Sequence, residues 1–254
     1  PKPAPGAAPG ERGGPKYVIG PPTRPKFNFR DDYVYNPKAK AGFGDYRSWV
    51  QWGIKADGAT IVRSDLDDAL PLYKHYRDNT GTPMTVDYAE AYREDPSIRK
   101  TVDNEIASAQ HAVERIHKET GKSKFSITGD PTASSPYPQT EDWQKALGAH
   151  QVWGSGDVKI EGNKVTMTIT VHAEDRYNFN KNSNDIATGT PDQVNGRFAE
   201  LGWAKGFNTS GSITKTVTWT LGSPNAPVTT KPEETERNPG GGREDRADER
   251  DSSR

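Results

Sequence analysis

The chain has no cysteine, so disulfides, thiolate metal centres and a cysteine nucleophile are all excluded. Apolar residues are scarce, at 31% of 254 positions, well under the share of about 45% usual in globular chains. No apolar run approaches the roughly 18 residues of a membrane-crossing helix, and no signal peptide is recognisable. An excess of one charge is missing too: 34 basic residues face 35 acidic ones. That balance argues against a nucleic-acid binder held by bulk electrostatics, and no nucleic-acid partner is expected. The chain starts on Pro1 rather than Met, which reads as a piece of something longer.

The apolar deficit lies at the two ends. Nine of the 20 prolines fall within residues 1–45, and residues 223–254 hold almost nothing that could enter a core. The domain organisation expected is a Pro/Gly-rich linker over 1–45, one folded domain over 46–222, and a disordered polyampholyte tail over 223–254. Aromatics from Phe27 to Phe43 suggest that the second part of the linker lies along the domain. The middle segment is long enough for one domain with a real core.

Within it, helices come first. Ser64-Asp65-Leu66-Asp67 offers an N-cap and an acidic first turn for a helix ending at Asn79-Thr80-Gly81, with Pro71 expected to kink it. Asp95-Pro96 opens a longer helix whose stripe is Ile98, Val102, Ile106, Ala109, Val113 and Ile116, closed by Thr120-Gly121. After Gly121 the apolar period changes to two. Phe125 and Ile127 begin a strand. Glu161-Gly162-Asn163 joins a segment around Val158 and Ile160 to the alternation of Val165, Met167, Ile169 and Val171. Gln193–Phe207 includes a short helix, and Ile213, Val217 and Trp219 mark a last strand. The fold class is α+β, N-terminal helices packed on a C-terminal antiparallel sheet.

Sequence motifs for zinc or serine hydrolases and phosphate loops are absent, and His75, His111, His117 and His150 show no ligand spacing. Trp143 and Trp203 fit a helix-to-sheet core better than a bilayer contact. The densest polar cluster runs from His172 through Glu174, Asp175, Arg176, Tyr177 and Asn178 to Asn180, with Asp185, Asp192, Asn195 and Arg197 downstream. It is expected where a strand ends, a place at which carboxylates, a phenol and guanidiniums can bind phosphate or a cation and position water. Arg176 beside Asp175 would hold that carboxyl ionised, which suits a base or a metal ligand. The bland reading is a strand-to-loop corner anchored by Tyr177 and Phe179. A calcium loop over residues 178–185 has too little negative charge.

Ala69–Gly81 and Glu174–Asn180 (EDRYNFN) resemble segments of the colicin M-like bacteriocins, and Asp142-Trp143 with Ala146-Leu147-Gly148 resembles C-terminal toxin domains of bacterial polymorphic toxins. The resemblance spans roughly residues 64–220. It implies a toxin of interbacterial competition, secreted or delivered to the target-cell periplasm. The reaction implied is hydrolysis of the lipid II pyrophosphate linkage, assisted by a divalent cation (Mg or Ca). Asp175 and Tyr177 match the family's first Asp and its Tyr; Asn178 stands where a second Asp is expected. Asp185 or Glu174 would then supply that carboxylate and Arg197 the phosphate clamp. The implied catalytic set is Asp175, Tyr177, Asp185 and Arg197. Arg176, Asn178 and His172 would bind substrate, with Asp175 on the metal. Implied partners are a lipid-linked precursor or the membrane, and a cognate immunity protein. Two alternatives stand beside this: a membrane-inserting, depolarising toxin with no enzyme site, and a non-catalytic binding module.

Overall fold

A computed structural model describes residues 14–181, 192–224 and 231–232. The expected tail and Asp185 therefore lie outside the described residues, apart from two residues of the tail that pair with the sheet and the start of the tail at 223–224.

The long helix forms as its signals predict. In α4 (Pro96–Thr120) the Asp95 carboxylate accepts from the Ser97 and Ile98 backbone N–H groups at 2.8 and 3.0 Å, Pro96 sits in the first turn, and Gly121 closes the end at φ 68°. Its six-residue apolar stripe is buried. Beneath it lies a sheet ordered β1 (Tyr17–Ile19), β3 (Lys124–Gly129), β5 (Gln151–Glu161), β6 (Lys164–Tyr177), β7 (Phe207–Thr220), β2 (Met84–Thr85). β4 (Thr132–Ala133) pairs with β5, and β8 (Lys231–Pro232) with β7. Neighbours are antiparallel except β2, which is parallel to β7. Val165, Met167, Ile169 and Val171 face the helices and are buried, each worth about 1.5–3 kcal/mol on transfer from water. Thr166, Thr168 and Thr170 face the other way, opposite Thr218, Thr216 and Thr214. The architecture is α+β, helices on one side of a mostly antiparallel sheet. No helix among the described residues is long and apolar enough to cross a membrane. Trp143 is buried and Trp203 packs against the core.

Three features differ from the sequence expectations. The helix expected from Ser64 is two pieces, a 3-10 turn at Ser64–Leu66 and α2 (Ala69–Arg77). Pro71 is the third residue of α2, where its missing N–H had no intrahelical acceptor, so it starts the helix instead of kinking it. The Asp142 carboxylate, on α5 (Glu141–Ala146), accepts from Asp68 N at 3.3 Å and Ala69 N at 2.7 Å and so caps α2 from a distance.

A second difference is α1 (Phe43–Val62), a helix of 20 residues that crosses the expected domain boundary. The third is the upstream stretch assigned to a linker. Tyr17 is buried at the sheet edge and donates to Glu105 of α4. An alanine Cβ at Gly154 would lie 2.0 Å from the Tyr17 oxygen, so that glycine makes the docking sterically open. Residues 20–42 then run over the domain as a strap: Arg24 forks onto Glu174 at 2.7 and 2.8 Å, and Arg176 onto Asp31 at 2.8 and 2.6 Å. Asn36 N donates to Glu200 O, on α6 (Gln193–Glu200), at 2.9 Å. The remaining helix, α3 (Tyr88–Glu94), packs on β7.

Candidate functional site

β6 does not stop at His172. It continues to Tyr177, paired with β7 throughout, so residues 172–177 of the polar cluster are strand and not loop. A strand turns successive side chains to opposite faces. Asp175 and Tyr177 fall on the helix side, while His172, Glu174 and Arg176 fall on the strap side. The candidate set is thereby divided.

On the helix side opens a cavity of 780 Å³, bounded by α1 and α2, by α5 with the 147–149 turn, and by residues 175–180. Trp52, Tyr73 and Tyr137 supply rings, Asn178, Asn180 and Gln144 amides, and Asp175 a carboxyl. Tyr73 donates to Asn195 Oδ1 at 2.8 Å, which fixes the ring against α6. A cavity of this size, with mixed rings and a few polar groups, suits a small polar ligand or head group.

Asp175 is half-buried in that wall. Burial pushes its carboxyl from 3.8 up to about 7, and the Arg176 backbone N–H pulls only weakly the other way. The expectation that Arg176 holds it ionised fails, because the guanidinium lies on the opposite face and is spent on Asp31. Directly across on β7, Thr209 is buried and its hydroxyl has no hydrogen-bond partner among the described residues. At neutral pH Asp175 is thus divided between acid and carboxylate, the state a general acid–base needs.

The other expected residues have structural partners. Tyr177 is buried and stacks on Phe207 at 5.1 Å, beside Phe179 at 6.1 Å, which agrees with its anchoring role in the bland reading. Asn178 donates to Arg30 O at 3.0 Å and to Asp31 at 2.8 Å. His172 stacks on Trp153 at 3.9 Å, with Nε2 3.0 Å from Ser155 Oγ, and burial lowers its pKa to about 4. It is neutral at physiological pH and away from the cavity. Arg197 bonds Glu200 at 3.1 Å, Asp45 at 3.4 Å and Lys40 O at 3.1 Å, so it clips the strap and α1 to α6 instead of facing a ligand.

Among the described residues, three carboxylates near enough together to share a divalent cation are Asp67, Asp68 and Asp142. Asp175 is not among them, and Asp142 is committed to the α2 N-terminus.

Trp52 and Tyr73 were not among the candidates read from the sequence. Tyr73 was legible only as a buried helix position, and Trp52 lies on a helix whose pattern gave no signal. Against known proteins, no family model matches the chain, and neither a curated protein nor a solved structure does.

Proposed function

We propose that this chain is an envelope-directed bacterial effector whose cavity receives the sugar–pyrophosphate head group of a lipid-linked precursor, with Asp175 as general acid–base in its hydrolysis. The observation that carries the reading is the Asp175 carboxyl: it titrates near pH 7 in the wall of an open 780 Å³ cavity, with no cation bonded to it among the described residues. The envelope target rests on the resemblance of residues 174–180 to the colicin M-like segment.

In this reading the carboxylate takes a proton from water as the water oxygen bonds to phosphorus. The protonated form returns that proton to the departing phosphate oxygen as the P–O bond breaks. The rings of Trp52 and Tyr73 offer flat faces to a sugar, and the amides of Gln144 and Asn180 its hydroxyl partners. Arg176 and Arg197 are consumed elsewhere. Lys55, 4.6 Å over the Trp52 ring, is the cation of the lining best placed to meet phosphate charge.

The test is expression of the full chain in a bacterial host, with and without an export signal, as wild type and as Asp175→Asn. Killing on export alone, with precursor levels disturbed and the variant folded but harmless, is expected. An Asp175→Asn protein that kills like wild type overturns the acid–base role. Killing with rapid loss of membrane potential and unchanged precursors favours membrane insertion, and no killing in either compartment favours the binding module.

A further inference from the structure

α1 is apolar on two sides. Trp49, Trp52 and Ala56 turn inward, against Phe198, Tyr73 and the cavity. Phe43, Val50, Ile54 and Ile61 stand on the outer side, exposed at 86, 56, 67 and 85%. Their spacings of seven, four and seven residues set them within about 20° of one line at 3.6 residues per turn, along about 27 Å of helix. No described residue covers this line. A single exposed isoleucine needs no explanation, but four large apolar side chains exposed along one face of a helix mark an interaction surface.

The line is symmetric about its own middle. Position 52 is midway between 50 and 54, and also midway between 43 and 61. A second α1 laid end for end against the first therefore sets Phe43 over Ile61 and Val50 over Ile54, twice each. Between those pairs, Tyr46 and Arg47 of one copy meet Asp57 and Gly58 of the other. A guanidinium there faces a carboxylate. Gly58 has nothing within 4 Å of where a Cβ would lie, which lets the two helices approach beside Tyr46, whose ring rests 4.9 Å from Trp203. Asp57 is free to accept: its side chain is 78% exposed, and its bond to Lys74 is a surface contact at 3.2 Å. A parallel pairing would instead set Arg47 against Arg47 and Asp57 against Asp57.

We propose that α1 pairs antiparallel with α1 of a second copy of this chain, in a two-fold isologous dimer. Charge favours this occupant over a lipid surface, since Arg47 and Asp57 put both signs on the outer face, where an anionic bilayer selects a basic one. The cavity opens on the inner side of α1 and stays accessible in the dimer. One helix pair falls short of the roughly 800 Å² per partner of a standard interface, so the association is reversible and concentration-dependent.

Sedimentation of the full chain over about a hundredfold range of concentration tests it. Wild type is expected to pass from monomer to dimer, and Ile54→Asp to remain a monomer with an unchanged circular dichroism spectrum. Arg47→Asp and Asp57→Arg should each weaken the dimer by about tenfold or more, and the two together should restore it to within about threefold of wild type. A wild type that stays monomeric throughout, or an Ile54→Asp dimer as tight as wild type, overturns the proposal. A double reversal no tighter than the singles overturns the antiparallel register. Monomeric protein that binds phosphatidylglycerol vesicles through Ile54 assigns the line to membrane, and overturns the dimer as well.

Discussion

Replacing Asp175 by Asn should make the protein more stable at alkaline pH. The Asp175 carboxyl holds its proton up to about pH 7 in the fold and releases it near 3.8 in the unfolded chain. The folded state therefore carries more protons between those values. The stability tied to this proton is fully present below about pH 4 and is lost as pH rises through about 7. A gap of about three pH units is worth about 4 kcal/mol. Asp175 is partly exposed to solvent, which screens part of this, so the loss on passing from about pH 4 to about pH 8 is set at about 2 kcal/mol. Asn has the same shape and cannot ionise. Asp68, Glu105, Asp142, His150 and His172 also titrate with shifted values, so the quantity to measure is the difference between variant and wild type, in which their contributions cancel. Urea unfolding at the two pH values, with an unchanged m-value, reads it directly. The variant should gain about 2 kcal/mol on wild type from the acid to the alkaline measurement while losing whatever activity the cavity supports. Parallel stability profiles would show that this carboxyl is not held against its charge, and the acid–base assignment would fall with it.

Glu105, buried beneath Tyr17 with its carboxyl pushed up from 4.5 to about 7, should behave in the same sense. Glu105→Gln is expected to flatten the fall in stability above about pH 5 by about 2 kcal/mol, seen in urea titrations. Asp95 is fully buried, and its second oxygen accepts from Gln139 N, Thr140 N and Thr140 Oγ1 at 2.7, 2.8 and 3.1 Å. Asp95→Ala strands these donors along with the α4 cap and should cost about 4 kcal/mol, read as a lower urea midpoint. A Cβ at residue 196 would lie 2.1 Å from the Tyr33 ring. Gly196→Ala should lift the strap, with faster amide exchange over residues 30–40 and unchanged protection in α4.

The elements legible in the sequence are those whose apolar residues keep to one face. α4 is the clearest, since its caps and its stripe agree over 25 residues. The β5–β6 hairpin is legible for the same reason, with Gly162 at φ 61° in its turn. α1 defeats this reasoning because it is apolar inside and outside at once, with Gly44, Gly53 and Gly58 lowering its helix propensity. β1 is hidden differently. Proline and glycine around it spell a linker, and what holds Tyr17 in place lies about 90 to 140 residues away, at Glu105, Gly129 and Gly154. No local pattern carries that information.

The site is harder to read than the fold because neighbours in a strand are not neighbours in space. Glu174, Asp175, Arg176 and Tyr177 form one cluster as letters, and in β6 they become two pairs on opposite faces of a sheet. The strap pairs Glu174 with Arg24 and Arg176 with Asp31, so the charges on its own side are satisfied there, while alternation keeps Asp175 on the other. Had Arg176 shared the face of Asp175, the carboxyl would sit below its ordinary value, a fixed anion with no proton to give. Deprived of that cation and half-buried, it rises to about 7. The alternation of β6 thus leaves burial to set the proton affinity of the carboxyl on which the proposed reaction depends.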